Sequence, residues 1–266
     1  LVNFNLIHNN TKYSGDIRLK GDRKAHFFEK EHSSYKIKLD KENYIFGLSK
    51  FSLQKPRIRN YIHEWIFHQM AKDFDIIKIK YEFLDLSING ENKGLYVLEE
   101  GFGKELIERN KRRNGPIFGF DEDLRVDEED LIFEIYNKKY WSKKENIALA
   151  KTASQKLRDF FKKKVPLEDV FDVERWAAYF AVVDMTSTYH GAFLKSVKFY
   201  YNPINGLFEP IPYDGHRLKP NYHKQNLNYD NNILIDIVDL SFTEENKRGW
   251  KWLQNFFYNR DGSLNS

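Results

Sequence analysis

The chain of 266 residues contains no cysteine. Disulfides, thiolate nucleophiles and zinc sites with Cys ligands are therefore excluded. That absence is silent on compartment, because an exported protein need not use disulfides. No apolar run reaches the ~18 residues that a membrane helix needs, so no transmembrane segment is expected. An excess of one charge is also lacking: 43 basic against 39 acidic residues leave a net charge of +4. Nucleic-acid binders carry a denser basic stripe, and no nucleic-acid partner is expected. The basic clusters are short, at 111–113, 138–139, 143–144 and 162–164. No basic-then-apolar leader precedes Leu1, so the chain reads as a mature product or a trimmed piece, with any export signal already removed.

Aromatic residues are plentiful, with 22 Phe, 16 Tyr and 5 Trp, which predicts a core built from large rings. The length allows one large domain or two modest ones. Residues 121–130 hold seven carboxylates without the spacing of a calcium loop, and read as an exposed loop.

Hydrophobic periodicity divides the chain. Residues 15–20 and 34–40 alternate as strands, with Tyr35, Ile37 and Leu39 on one face and Lys36, Lys38 and Asp40 on the other. Gly21-Asp22 marks a turn between them, and 51–53 a further short element. A helix is predicted over 57–72, packed through Ile58, Ile62, Trp65 and Ile66, with Glu64 beside that stripe. Strands return at 77–88 and 94–100, joined by the hairpin signal Asn89-Gly90. The first part thus reads as an α+β unit with an antiparallel sheet.

The second part reads as mostly helical. A short helix is expected at 102–111 and a strand at 131–135. Ser142 and Glu145 suggest a capping box before a helix whose inner face holds Leu149, Ala153, Leu157 and Phe160. Pro166 closes that helix. Asp172 caps the next, which turns Trp176, Phe180 and Val183 inward. A polar loop is expected at 221–230, and helices at 233–240 and 250–257.

The chemistry-bearing stretch is 206–216, which follows a strand at 197–201 and a turn at 202–206. It presents Asp214 where a hairpin ends, next to Gly215. A carboxylate there suits a hard divalent cation against a phosphate, and an ordinary hairpin with a solvated acid is the competing reading. Lys36 and Lys38 are either phosphate-binding cations or a solvated strand face. Asp184 closes a helix at the end where the dipole disfavours an acid. His190 stands in a polar loop, able to accept a proton at neutral pH or to hold the loop. Asp184, His190, Asp214 and His216 lack an i, i+4 His pair and are not read first as a transition-metal site.

Several segments, in order, resemble the spore coat protein CotH kinase family of atypical protein kinases. They are Ser-Ser-Tyr-Lys-Ile-Lys-Leu at 33–39, Phe-Gly-Leu-Ser-Lys-Phe-Ser-Leu-Gln at 46–54 followed by Arg59 and the helix of Glu64, the hairpin at 88–100, and the runs at 199–203 and 210–214. The resemblance covers about 18–216. It implies a two-lobed kinase-like fold, with a small β-rich lobe over 1–100 and a larger helical lobe over 101–266. It also implies transfer of the ATP γ-phosphate to a protein hydroxyl, with Mg²⁺ or Mn²⁺. On that reading Lys36, Lys38, Glu64 and Glu99 hold the nucleotide, Asp214 and Asp184 the metal, and Asp184 and His190 serve catalysis. The resemblance further implies an exported or envelope-associated protein. The chain departs from the family pattern in two places. His190 and Ser196 stand nearest to an expected Asp and Asn, and Tyr213-Asp-Gly-His216 offers one acid where two are usual. A kinase-fold binding or scaffolding module without catalysis, and an envelope structural protein, are the alternative readings.

Overall fold

The computed structural model describes residues 2–21, 33–121, 133–215 and 251–258. The chain has a mixed α+β fold. Six strands form the first sheet: β1 Val2–His8, β2 Thr11–Leu19, β3 Tyr35–Leu39, β4 Lys50–Gln54, β5 Tyr81–Ile88 and β6 Glu91–Glu100. Their order is β1-β2-β3-β4-β6-β5, and every neighbouring pair is antiparallel. Asn89 and Gly90 have φ of 53° and 82°, the left-handed pair that a tight hairpin between twisted strands requires.

Alternation divides the two faces of this sheet. Ile37 and Leu39 pack with Phe51, Leu53, Tyr96 and Leu98 on one face, while Lys36 and Lys38 are exposed on the other. The register aligns Arg18, Lys36, Ser52, Glu99 and Tyr81 in one row across the polar face. Arg18, Lys36, Lys38 and Lys50 have no ion-pair partner among the described residues.

The segment expected as one helix over 57–72 is broken. A short 3-10 helix, Pro56–Arg59, ends at Asn60 and Tyr61, whose φ values of 53° and 62° are left-handed. Helix α1 then runs His63–Asp73. The break resets the helical phase, so the expected stripe is wrong. Ile62 and Trp65 are 57% and 39% exposed, and Glu64, Phe67, His68 and Ala71 face inward.

The second part is less helical than its sequence suggests. It holds a four-stranded antiparallel sheet of β7 Ile117–Phe120, β8 Phe133–Ile135, β9 Lys198–Tyr201 and β10 Phe208–Ile211, in the order β10-β9-β7-β8. Its helices are α2 Lys104–Arg109, α3 Lys138–Trp141, α4 Ile147–Phe161 and α5 Val173–Thr186. The expected capping box at Ser142 is not formed. Ser142 closes α3 and donates to the Lys139 carbonyl at 3.3 Å, while α4 begins five residues later. Ala153, Leu157 and Phe160 do face the core, and Asp172 accepts from the Arg175 amide at 3.1 Å to cap α5.

The larger core is a mass of rings in which Phe120, Phe171, Trp176, Phe199 and Phe208 are almost fully enclosed. A late segment completes it: the 3-10 turn Lys251–Leu253 and helix α6 Gln254–Phe257. Trp252 packs on Phe120 and Phe199, and its indole N–H donates to the Ala192 carbonyl at 3.0 Å. Hairpin β9–β10 is fixed by buried Glu209, which pairs with Arg112 at 3.0 Å and accepts from Asn202 at 2.8 Å. No described helix is long and apolar enough to cross a membrane. The helix expected at 233–240, the loop at 221–230, His216 and nearly all of the acidic stretch lie outside the described residues.

Candidate functional site

Strand β6 ends in two acids that point to opposite sides of the sheet. Glu99 is 3% exposed on the polar face. Lys20, just past β2, sits 2.7 Å from its Oε1 and also donates to Gln54 Oε1 at 3.0 Å. Gln54 in turn donates to Glu99 Oε2. Arg59 approaches the same carboxylate at 3.7 Å. Burial alone would raise the Glu99 pKa, but the charges of Lys20 and Arg59 hold it below the ordinary glutamate value. Burial works against the Arg59 cation too, yet Asp214 and Glu99 push its pKa well up. On the other side Glu100 pairs with Arg109 and accepts from the Lys80 amide at 2.7 Å. There burial prevails and its pKa is raised.

Arg59 bridges from this cluster to the end of β10. Its guanidinium pairs with Asp214 and lies 5.4 Å from the Tyr213 ring centre. Ser196 donates to Asp214 Oδ2 at 3.1 Å, and His190 Nδ1 lies 3.3 Å from the same oxygen. His190 Nδ1 is also 2.9 Å from Ser196 Oγ and 3.1 Å from the Asp214 carbonyl. Polar contacts thus run from Lys20 through Glu99 and Arg59 to Asp214, Ser196 and His190.

Asp214 reaches this place through unusual backbone. Its φ is 58°, and a Cβ on the following Gly215 would overlap the Phe67 ring. Gly215→Ala is therefore expected to cost about 1–3 kcal/mol through overpacking, read as a fall in the denaturation midpoint. A midpoint equal to wild type would show that Phe67 yields freely.

Beside the network, a groove of about 220 Å³ lies at the linker from β6 to α2. Lys50, Gly103, Asn114, Tyr136, Asn137 and Trp141 line it. A smaller pocket bounded by Glu100, Gly101 and Phe102 shares Lys50, Gly103, Glu105 and Asn137 with it. Close by, Lys198 is 2% exposed, donates to the Lys195 carbonyl at 2.7 Å and lies 5.5 Å from the Tyr213 ring centre.

A family model described as CotH kinase protein matches residues 17–260, which takes in the whole network and the groove. The chain belongs to the CotH kinase protein family. No curated protein matches the chain.

Within this CotH fold, the residues singled out from the sequence occupy different surroundings. Glu99, Asp214 and His190 come together in the network. Lys36 shares the cross-strand row of Glu99 and is exposed to solvent, yet protein crowds it; desolvation, then the charges of Arg18 and Lys20, lower its pKa. Lys38 is exposed one step along, opposite Asp16 and Lys50. Glu64 is fully buried and meets His68 at 3.2 Å rather than a lysine. Asp184 is half-buried and accepts from the Tyr189 hydroxyl at 2.7 Å. Among the described residues, no three His, Asp or Glu side chains are grouped to hold a metal.

Lys20, Gln54 and Arg59 are the members that sequence reasoning missed. Lys20 carried a signal: in the alternation of 15–20 it shares a face with Arg18, and hence with Lys36 and Lys38. Arg59 stood in a segment of the resemblance but carried no sign of this role, because its partners are 40 and 155 positions away along the chain.

Proposed function

We propose that this chain is a CotH-type kinase that transfers the ATP γ-phosphate to a protein hydroxyl, with Mg²⁺ or Mn²⁺. The observation that carries the reading is the continuous network in which a buried Lys–Glu pair and Asp214 meet through Arg59. Phosphoryl transfer is catalysed mainly by positioning and charge, and needs a fixed cation and a carboxylate around one phosphate. The architecture supports a small lobe over 1–100 and a larger one over 101–266, with the nucleotide between them.

The aromatic and amide groups of the groove suit a purine base laid along the Gly101–Gly103 linker. Lys20, held by Glu99, would orient the phosphates, and Lys36 and Lys38 would neutralise them from the same face. Asp214 offers the hard oxygen that Mg²⁺ prefers, and such an ion takes its remaining ligands from phosphates and water. Bound there, the ion would offset the negative charge that develops on the transferred group. His190 Nδ1 faces the Asp214 carbonyl, an acceptor, so that nitrogen carries the ring proton and Nε2 is the basic one. Nε2 would take the proton of the acceptor hydroxyl as its oxygen bonds to the γ-phosphorus, while the bond from that phosphorus to the β,γ-bridging oxygen breaks and ADP leaves. Asp184, tied to Tyr189, would support this loop.

A second reading is favoured by one observation: Arg59 already neutralises Asp214. On it, the chain is a kinase-fold binding module that holds nucleotide without transfer. Thermal shift separates these readings. At a hundredfold excess over Kd, ATP with Mg²⁺ should raise the melting temperature by about 5–10 °C, and ATP with chelator by clearly less. An equal rise in both favours the binding module, and no rise with any metal removes both.

A further inference from the structure

The polar groups left without partners are not scattered. Among the described residues five buried side-chain atoms have none: Arg59 Nε, Glu64 Oε2, His68 Nδ1, Tyr81 Oη and Glu100 Oε1. Four of them surround one place. Glu64 and His68 are i, i+4 neighbours on the inner face of α1. The His68 and Tyr81 rings are 5.9 Å apart, and Tyr81 stands opposite Glu99 in the sheet. Arg59 lies between Glu99 and Asp214. The charge of Glu64 acts on both Arg59 and Tyr81. Buried polar atoms are nearly always paired, and an orphaned carboxylate oxygen is among the costliest exceptions. Glu64 is 0% exposed and uses only one oxygen, so its second is an acceptor held in reserve.

Asp214 is over-subscribed by contrast. Arg59, Ser196 and His190 all engage its carboxylate. A divalent cation arriving there must compete with the Arg59 guanidinium, and two like charges on one carboxylate repel. Arg59 cannot reach water cheaply, since its side chain is 9% exposed. Glu99 is its other anion, but at 3.7 Å and already engaged by Lys20 and Gln54, so a second buried acceptor would complete its pairing.

We infer that Glu64 is a positioning residue that receives Arg59 when a divalent cation occupies Asp214. The metal and Glu64 would then share out the two charges that Arg59 and Asp214 now neutralise in each other. This inference rests on the reading of Asp214 as a metal ligand. It assigns Glu64 a task different from holding the nucleotide.

Mn²⁺ binding, followed by electron paramagnetic resonance on the full chain with a non-hydrolysable ATP analogue, tests it. Arg59→Met should tighten Mn²⁺ about tenfold by removing the competitor, and Glu64→Gln should weaken it about tenfold by removing the destination. In the Arg59→Met background, Glu64→Gln should then change affinity less than about twofold. An equal loss in both backgrounds, or no loss in either, overturns the exchange. If wild type and Asp214→Asn bind Mn²⁺ alike, the metal reading itself falls and the exchange with it. Should Arg59→Met fail to fold, the Nε resonance of Arg59 gives a second measure by NMR. Adding Mg²⁺ and the analogue should shift it in wild type and leave it unmoved in Glu64→Gln; identical behaviour in both proteins would overturn the inference.

Discussion

Glu99→Leu is expected to destabilise the chain by about 3–5 kcal/mol, because it strands the buried Lys20 cation and leaves Arg59 with Asp214 alone. Lys20 and Arg59 are 8% and 9% exposed, and Glu99 is the carboxylate they share. Gln54 would also lose the acceptor that fixes its amide. A loss of that size lowers the melting temperature of a chain this long by about 6–20 °C. The pH dependence has a definite sign. The folded pKa of Glu99 lies below its ordinary value, so the unfolded chain binds the proton more readily. The stabilisation is complete above the ordinary glutamate range, near pH ~4.3, and is lost as pH falls through the folded pKa. Urea denaturation across that range should show the acid-side loss in wild type and a flatter profile in Glu99→Leu. A mutant that melts within a degree of wild type would mean that Lys20 and Arg59 find other anions.

Asp214→Asn should abolish metal-dependent phosphoryl transfer, by about 10³-fold or more, while the fold survives. Asparagine keeps the shape and can still accept from Ser196, and the carbonyl bonded by His190 belongs to the backbone. Arg59 retains Glu99 as a counter-ion. Autophosphorylation and transfer to a generic acidic or basic protein, followed with labelled ATP, give the rate; circular dichroism gives the fold. Undiminished transfer would remove Asp214 from the chemistry. An absence of transfer in wild type, with nucleotide still bound, would leave the binding module as the function.

Local structure was largely legible wherever near neighbours decide it. Alternation at 35–39, the Asn89-Gly90 hairpin, the inner face of α4 and the Asp172 cap depend on residues a few positions apart. The errors have causes that periodicity alone does not register. Asn60 and Tyr61 break the expected helix with left-handed backbone, which asparagine tolerates readily but tyrosine does not announce. The inward face of α1 then carries Glu64 and His68, which pattern reading assigns to solvent, because they satisfy one another across a turn. Strand β7 was overlooked because it is four residues long and wholly buried, so it shows no alternation. The site was legible in part: Glu99, Asp214 and His190 stand on recognisable segments. Lys20 and Arg59 join them only through contacts between distant parts of the chain.

The place of Trp252 in the ring core has a consequence for the order of events during synthesis. Its neighbours Phe120 and Phe199 leave the ribosome long before it does. The basin is complete only once Phe208 is made, and at about 5–20 residues per second the 44 positions from there to Trp252 take roughly 2–9 s to translate. The first sheet closes its own apolar face with residues up to Leu98 and has no need to wait. The nascent chain thus carries a finished sheet and an open aromatic basin for some seconds, which is a surface for chaperones to cover.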